Sequence, residues 1–489
     1  MSSRLNQLLF TGAVWMLITR VLVKSLGLIS SIMLARLLAP GDFGLVAIAM
    51  SIYAFILLFG SVGFNSALIQ KAEATNHDYD AVWSLGIIFG FFAGIVFILN
   101  ANNIAIYFND ERLVPIIYCV SILFVINGFV NTGVVKFQRE LNFKRELKFQ
   151  LIPKLISFCS TLSLAYILQN YWALVIGMLV HQLMITITSY VMSRYKPKFR
   201  ISGIRKLFNF SKWIMLNQFF YYINNKSMDL IVGKLISTRA SGIYNISLEI
   251  ASIPVTEVVA PINKSAFPAY SRAQKDLSQL QELFLQTITL IGYISIPAVF
   301  GVFFVIDIFV PVVLGEQWND TIVIIEYLSI ASLFLGLSSN AGYLLIALGK
   351  PFISTLNAFL RTLLLITSAI ILINLYGLPG AAMGMVISSI AGFFLAYSFT
   401  AYYSQLNIFT MLAVFFRPLV AALVMAFSLT LLKEQCFIDL SLSSLVATVL
   451  AGIIVYCFSL FIVWLLLGKP EGVESFLVKK IKYLIHEIN

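Results

Sequence analysis

Two cations, Arg20 and Lys24, stand inside the first apolar run of the chain, GAVWMLITRVLVKSLGLISSIML at 12–34. A run of that length crosses a hydrocarbon core of about 30 Å as a helix. Spacing i, i+4 puts both side chains on one face, one turn apart. A charge at the centre of a span costs roughly 2.5–3.5 kcal/mol on insertion scales, so such residues turn toward a bundle interior or a wet cavity. Guanidinium and ammonium groups in such a cleft favour phosphate or carboxylate ligands. The alternative is snorkelling to an interface, easier for Arg20, roughly 12 Å into the run, than for Lys24.

The seventh apolar run is equally polar: SKWIMLNQFFYYINNKSMDLIVGKLI. Gln218, Tyr222, Asn225 and Asp229 follow an i, i+4, i+7, i+11 stripe, the face a helix turns toward a polar lumen. Lys226, three residues before Asp229, is placed either to line the cavity or to neutralise that aspartate as a local ion pair. The eighth run adds Glu249 and Glu257 beside Pro254 and Pro261, which should kink it and free backbone carbonyls. Arg361 lies deep in the eleventh run, with Asn357 one turn earlier. The expected substrate-binding set is therefore Arg20, Lys24, Lys226, Arg361, Gln218, Tyr222 and Asn225. Asp229, Glu249 and Glu257 are expected to exchange a proton or Na⁺, the competing role for the glutamates being structural partnership with Lys226. Lys154, Asp307 and Glu326 fall near predicted span ends, His181 reads as a packing residue, and Asn127 and Asn131 as helix-to-helix hydrogen-bond glue. No metal, cofactor or catalytic constellation is expected, and Cys119, Cys159, Cys436 and Cys457 form neither a close pair nor a metal spacing.

The elements that carry these residues are membrane helices. The 489 residues are 60% hydrophobic and 11% charged, with mean hydropathy +0.93. A soluble domain of that balance could not cover its core with polar surface. Apolar runs near 20 residues recur at about 12–35, 43–69, 82–107, 112–135, 149–168, 172–193, 209–236, 241–266, 284–313, 321–348, 352–375, 378–402, 411–432 and 442–467. These make an all-α integral membrane protein of about fourteen transmembrane helices, with both termini on one side. Most of the 33 Lys and Arg crowd into alternate loops, notably KFQRELNFKRELK at 136–148 and the stretch 194–212. By the positive-inside rule that side, with both termini, is cytoplasmic. The net charge of +11 is thus a topology signal rather than a nucleic-acid footprint. The tail 471–489 reads as a basic amphipathic helix on the inner surface.

A weak internal repeat orders the spans. ARLLAPGDFGLVAIAMSI at 35–52 aligns without gaps on GKLISTRASGIYNISLEI at 233–250, matching Gly44 with Gly242 and Leu37 with Leu235. The copies begin at the first and seventh spans, so they share one membrane orientation and predict two six-helix lobes related by a parallel repeat. The expected division is an N-terminal lobe at 1–200 and a C-terminal lobe at 201–403. Two extra helices follow at 404–470, then the tail. At the repeat offset Gln218 falls on Arg20 and Tyr222 on Lys24, which leaves the basic stripe to the first lobe.

Several phrases resemble a known family. ARLLAPGDFGLVAIAMSI, SALIQK at 66–71, FPAYSRAQ at 267–274, VPVVLGEQWN at 310–319 and LLIALGKP at 344–351 are similar to the Wzx-type polysaccharide-transporter branch of the multidrug/oligosaccharidyl-lipid/polysaccharide exporter superfamily, closest to the colanic acid exporter group. The resemblance implies a two-lobed, alternating-access flippase moving undecaprenyl-diphosphate-linked oligosaccharide from the inner to the outer leaflet, driven by a cation gradient and working beside polysaccharide polymerase and export machinery. Basic lumen residues recur in that family's first, seventh and later helices, and Arg20, Lys24, Lys226 and Arg361 match by helix order alone. Two other classes compete. A multidrug antiporter handles organic cations, which suit an acidic cavity. A membrane-bound polysaccharide polymerase or ligase needs a substantial external loop, and the external connections here are short.

Overall fold

The computed structural model describes residues 2–60, 68, 75–140, 142–200, 219, 222–435 and 440–468. Gln218, Cys436 and the 471–489 tail lie outside them. Every regular element among the described residues is helical. In chain order we label α1 (Ser2–Leu37), α2 (Pro40–Leu57), α3 (Asn76–Leu99), α4 (Leu113–Gly128), α5 (Phe143–Leu168), α6 (Trp172–Met192), α7 (222–235), α8 (Thr238–Ala273), α9 (Leu277–Phe309), α10 (Thr321–Ala347), α11 (Pro351–Tyr376), α12 (Leu378–Ser404), α13 (Phe416–Gln435) and α14 (Leu442–Leu466). Among the described residues eleven helices are long and apolar enough to cross a membrane, and two bent pairs, each taken as one span, raise this to thirteen. The described part of the seventh predicted span is α7.

Each bend coincides with an identifiable feature. The fourth span turns by 60° between Leu113–Gly128 and Thr132–Arg139. There the Asn131 side chain accepts from the Gly133 N–H at 2.8 Å, its own backbone N–H donates to Ser189 Oγ at 2.9 Å, and Thr132 Oγ1 donates to the Tyr79 carbonyl at 3.1 Å. These bonds satisfy groups that the interrupted helix leaves open. Helix α8 turns by 44° between Ile253 and Val255, at the first of the two predicted proline kinks.

The chain forms two compact units, Met1–Asn245 and Ile246–Asn489. In the first, Leu45, Ile48, Phe97, Ile116, Phe124 and Val175 centre an apolar core. In the second, Tyr270, Phe284, Ile291, Leu344, Tyr397 and Met425 do the same. Outward residues such as Phe92, Ile95 and Leu99 are left for lipid to cover. The VPVVLGEQWN phrase has a structural role: the chain reverses at Gly315, with φ 109°, and Trp318 is fully buried.

Helix pairing recurs between the units. In the first, α3 packs on α4, α5 on α6 and α4 on α6; in the second, α9 packs on α10, α11 on α12 and α10 on α12. These are the pairings a parallel six-helix repeat requires, and α13 and α14 fall outside it, packed on each other and on α9. The unit boundary at 245/246 comes later than the predicted lobe boundary at 200/201, because α7 and the first turns of α8 pack on α2.

The repeat is also visible as a local two-fold contact. A methyl on Gly44 would lie 1.7 Å from the Thr238 carbonyl oxygen, and one on Gly242 would lie 1.9 Å from the Pro40 carbonyl oxygen. Pro40 and Thr238 are repeat equivalents, as are Gly44 and Gly242. Helices α2 and α8 therefore cross backbone to backbone at a point where only hydrogen fits on either side.

Candidate functional site

The most developed polar site joins α7, α2 and the start of α8. Asp229 is 1% exposed, so its carboxylate must be satisfied by protein. Ser51 Oγ of α2 donates to Oδ2 at 2.9 Å, Asn245 Nδ2 of α8 reaches both oxygens at 3.1 and 3.2 Å, and Lys226 Nζ lies 3.2 Å away. Ser241 Oγ donates to the Asp229 backbone carbonyl at 2.9 Å, and the Tyr222 hydroxyl to the Ser51 carbonyl at 2.9 Å. Three helices are thus tied through one buried carboxylate.

This arrangement changes the reading of the α7 stripe. Tyr222 and Asp229 do not face a lumen; both are buried in the packing of α7 against α2. Asn225 is exposed, and the Lys226 side chain is 40% exposed although paired. Periodicity identifies a polar face, but a polar face satisfies a neighbouring helix as readily as a lumen. The Lys226–Asp229 ion pair forms as the i, i+3 spacing allows.

The hairpin of α7 and α8 is further pinned at its tip. Lys234 Nζ donates to the Tyr107 carbonyl at 2.5 Å and lies 4.5 Å from the centre of that ring. Thr238 Oγ1 donates to Asp110 at 3.0 Å, and Arg112 pairs with Asp110 at 2.8 Å. Burial pushes the Asp110 carboxyl up, but hydrogen bonds from Arg112 and Thr238, with the Arg112 charge, outweigh it and hold the group below the usual carboxylate range.

Arg20 and Lys24 sit on the continuous helix α1, half-buried and exposed respectively. A third cation joins their face. Lys154 Nζ of α5 lies 4.0 Å from the position a Cβ would take on Gly27, three residues beyond Lys24. The sequence reading put Lys154 at a span end; α5 begins at Phe143, so it lies well inside the helix. The earlier start was masked by KRELK, whose charges end a hydropathy window before they end a helix.

The other expected residues lie in the second unit. Glu249 and Glu257, both half-buried, flank the α8 bend, and Arg361 runs along α12, its Cδ 2.9 Å from where a Gly392 Cβ would stand. Asn357, one turn before Arg361, buries an Oδ1 that has no hydrogen-bond partner among the described residues. Asp307 pairs with Lys433 at 2.7 Å. His181 meets Ser157 at 3.2 Å, and Asn127 accepts from Gln182 at 3.2 Å, the interhelical bonding expected of them. A cavity of about 110 Å³ lined by Trp83, Phe124, Asn127 and Thr132 holds none of the predicted substrate or ion residues.

Fold and site define a polytopic helical membrane protein built from a tandem repeat, with charges held inside its spans. The chain belongs to the family described as polysaccharide biosynthesis protein, whose profile matches residues 33–323. It is 25% identical over 397 residues to the lipopolysaccharide biosynthesis protein WzxC of Escherichia coli (strain K12), covering 80% of this chain and 81% of that one. It is 28% identical over 455 residues to a membrane protein in the cps region of Klebsiella pneumoniae, covering 92% and 93%. Its fold is that of lipid II flippase MurJ in an inward closed conformation, at TM-score 0.72 and 16% identity over 94% of this chain and 99% of that one.

Proposed function

We propose that this protein is a flippase that moves undecaprenyl-diphosphate-linked oligosaccharide across the cytoplasmic membrane by alternating access, for surface polysaccharide synthesis. The observation that carries this reading is the coincidence of family and fold: a polysaccharide biosynthesis chain that takes, over nearly its whole length, the fold of a lipid II flippase. The physical task fits. A sugar headgroup and its diphosphate must leave water while the polyprenyl tail stays in lipid, and a hydrated cationic cleft lowers that desolvation cost. Arg20 and Lys24, with Lys154 beside them, hold the diphosphate or acidic sugars, Lys226, Arg361, Asn225 and Gln218 complete the substrate-facing set, and the buried Tyr222 holds α7 to α2 behind them. Asp229, with Glu249 or Glu257, exchanges a proton or Na⁺ as the helices rearrange. Both termini are cytoplasmic, and the polymerase and export machinery take up the product. The protein is a carrier, not an enzyme.

The test is leaflet translocation in proteoliposomes with a fluorescent undecaprenyl-diphosphate oligosaccharide, with and without an imposed ion gradient. Gradient-dependent movement, abolished in the Arg20→Gln/Lys24→Gln double variant, is the expected result. Efflux of small organic cations with no movement of acidic or neutral glycolipids would make it a drug antiporter. New glycosidic bonds would make it an enzyme.

A further inference from the structure

Residues 193–200, which follow α6, run without helical structure along the end of the first unit where α3 begins and the fourth span turns. They are firmly docked. The Tyr195 ring enters a small apolar cluster with Leu68, Tyr79, Val82 and Val135. Asn131 Nδ2 donates to the Tyr195 carbonyl at 2.7 Å. The Tyr195 hydroxyl and the Lys198 backbone N–H both donate to the buried Asp80 carboxylate, the latter at 2.9 Å, and the Arg200 N–H donates to Ser84 Oγ at 2.7 Å. With Tyr195 turned inward, Arg194, Lys196, Lys198 and Arg200 are all exposed, together with a Phe199 that is 61% exposed.

We infer that this docked strap binds the phosphate headgroups of anionic phospholipids at the membrane surface. A loop that served only to orient the protein would need basic residues but no fixed backbone. Here backbone bonds at Tyr195, Lys198 and Arg200 fix a stretch whose cations stand at every second residue, no more than about 7 Å apart along the chain. Neighbouring headgroups can be met by such a row, and Phe199 supplies an aromatic ring for the interface. The nearby acidic groups do not cancel the row: Asp80 is buried and fully engaged, and Asp78 is turned back to its own N-cap, accepting from Thr75. The Arg200 guanidinium rests against His77. The strap closes the end of helices that span the bilayer, which places it at headgroup depth.

Native mass spectrometry of the full-length protein, offered phosphatidylglycerol and phosphatidylcholine in equal amounts, tests the inference. The R194Q/K196Q/K198Q/R200Q variant is expected to lower the bound ratio of anionic to neutral lipid by about threefold or more, whereas K144Q/R145Q/K148Q, which removes exposed cations from the first turns of α5, changes it little. The decisive variant is Asp80→Asn. It makes the protein more basic, so bulk electrostatics raises anionic-lipid binding, whereas loss of the anchor lowers it. Tyr195→Phe removes only the hydroxyl donated to Asp80 and is expected to shift the ratio in the same downward direction, with helical content and melting temperature recorded for both. Equal losses in the strap and loop variants would overturn the inference. So would parent-level or stronger binding in both Asp80→Asn and Tyr195→Phe, or strap dependence seen for undecaprenyl diphosphate but not for phosphatidylglycerol.

Discussion

Asp229 decides the most at the scale of single residues. A buried carboxylate with one cation and three neutral donor contacts is strongly destabilising to break, because removing one partner strands the others. Asp229→Ala leaves the Ser51 and Asn245 donors without their acceptor beside a partly hydrated ammonium and is expected to cost about 1–3 kcal/mol and to lower the melting temperature. Lys226→Ala leaves the buried carboxylate without its counter-charge, softened because Ser51 and Asn245 still donate to it, and should cost a comparable amount. Asp229→Asn keeps the shape, so a folded variant that transports without gradient dependence would support an ion-exchanging role, and unchanged coupling would remove that role. Asp110 gives a pH prediction with a definite sign. Its folded pKa lies below the unfolded value of 3.8, so its contribution is complete above that pH and is lost as pH falls further. Thermal melts in detergent should show the difference between parent and Asp110→Asn shrinking below about pH 3.8 and flat from pH 5 to 7. Of these contacts, only the Lys226–Asp229 pair was legible in the sequence. Ser51 is an uncharged residue in an apolar run, 178 positions from its aspartate, and nothing local marks it.

At the scale of elements, the crossing of α2 and α8 is the sharpest constraint. Gly44→Ala and Gly242→Ala each drive a methyl into a facing backbone carbonyl, which cannot rotate away as a side chain could. Each should cost about 1–3 kcal/mol or force the helices apart. Because the two contacts are related by the repeat, the two variants should give similar losses of melting temperature, and the double variant should not add fully. Gly301→Ala in α9 is the control, with nothing within 4 Å of the new methyl, and should be neutral or slightly stabilising. A normal melting temperature for Gly44→Ala would mean the close approach is not maintained in the membrane. The repeat, and with it the equivalence of these glycines, was legible in the sequence because side-chain identities at 35–52 and 233–250 still match. The contact itself was not, since a glycine reads alike whether it serves packing, a bend or nothing. The 60° turn of the fourth span was equally hidden: two of the bonds that hold it run from Asn131 to Ser189 and from Thr132 to Tyr79, on two other helices.

For the molecule as a whole, hydropathy counted the spans and the repeat ordered them, because the bilayer imposes length and satisfied backbone on every crossing segment. What hydropathy cannot give is the direction each polar face takes, and the inward turn of Tyr222 and Asp229 shows this. Orientation in the membrane rests on charge alone. Basic residues crowd into 136–148 and 193–200, while 315–320, between α9 and α10, has none. Under the proposed orientation, 136–148 and 193–200 face the cytoplasm and 315–320 the outside. Single cysteines in an otherwise cysteine-free protein should follow suit. A cysteine at Glu140 or Lys196 should resist a membrane-impermeant thiol reagent in intact cells and react after permeabilisation, while one at Glu316 should react in both. The reverse pattern would put the cationic strap on the outer leaflet and present the substrate cations to the wrong starting side for export of a lipid-linked sugar made in the cytoplasm. The direction of transport, the anionic-lipid strap and the charge asymmetry of the loops therefore stand on the same orientation, and this labelling pattern tests it without any transport assay.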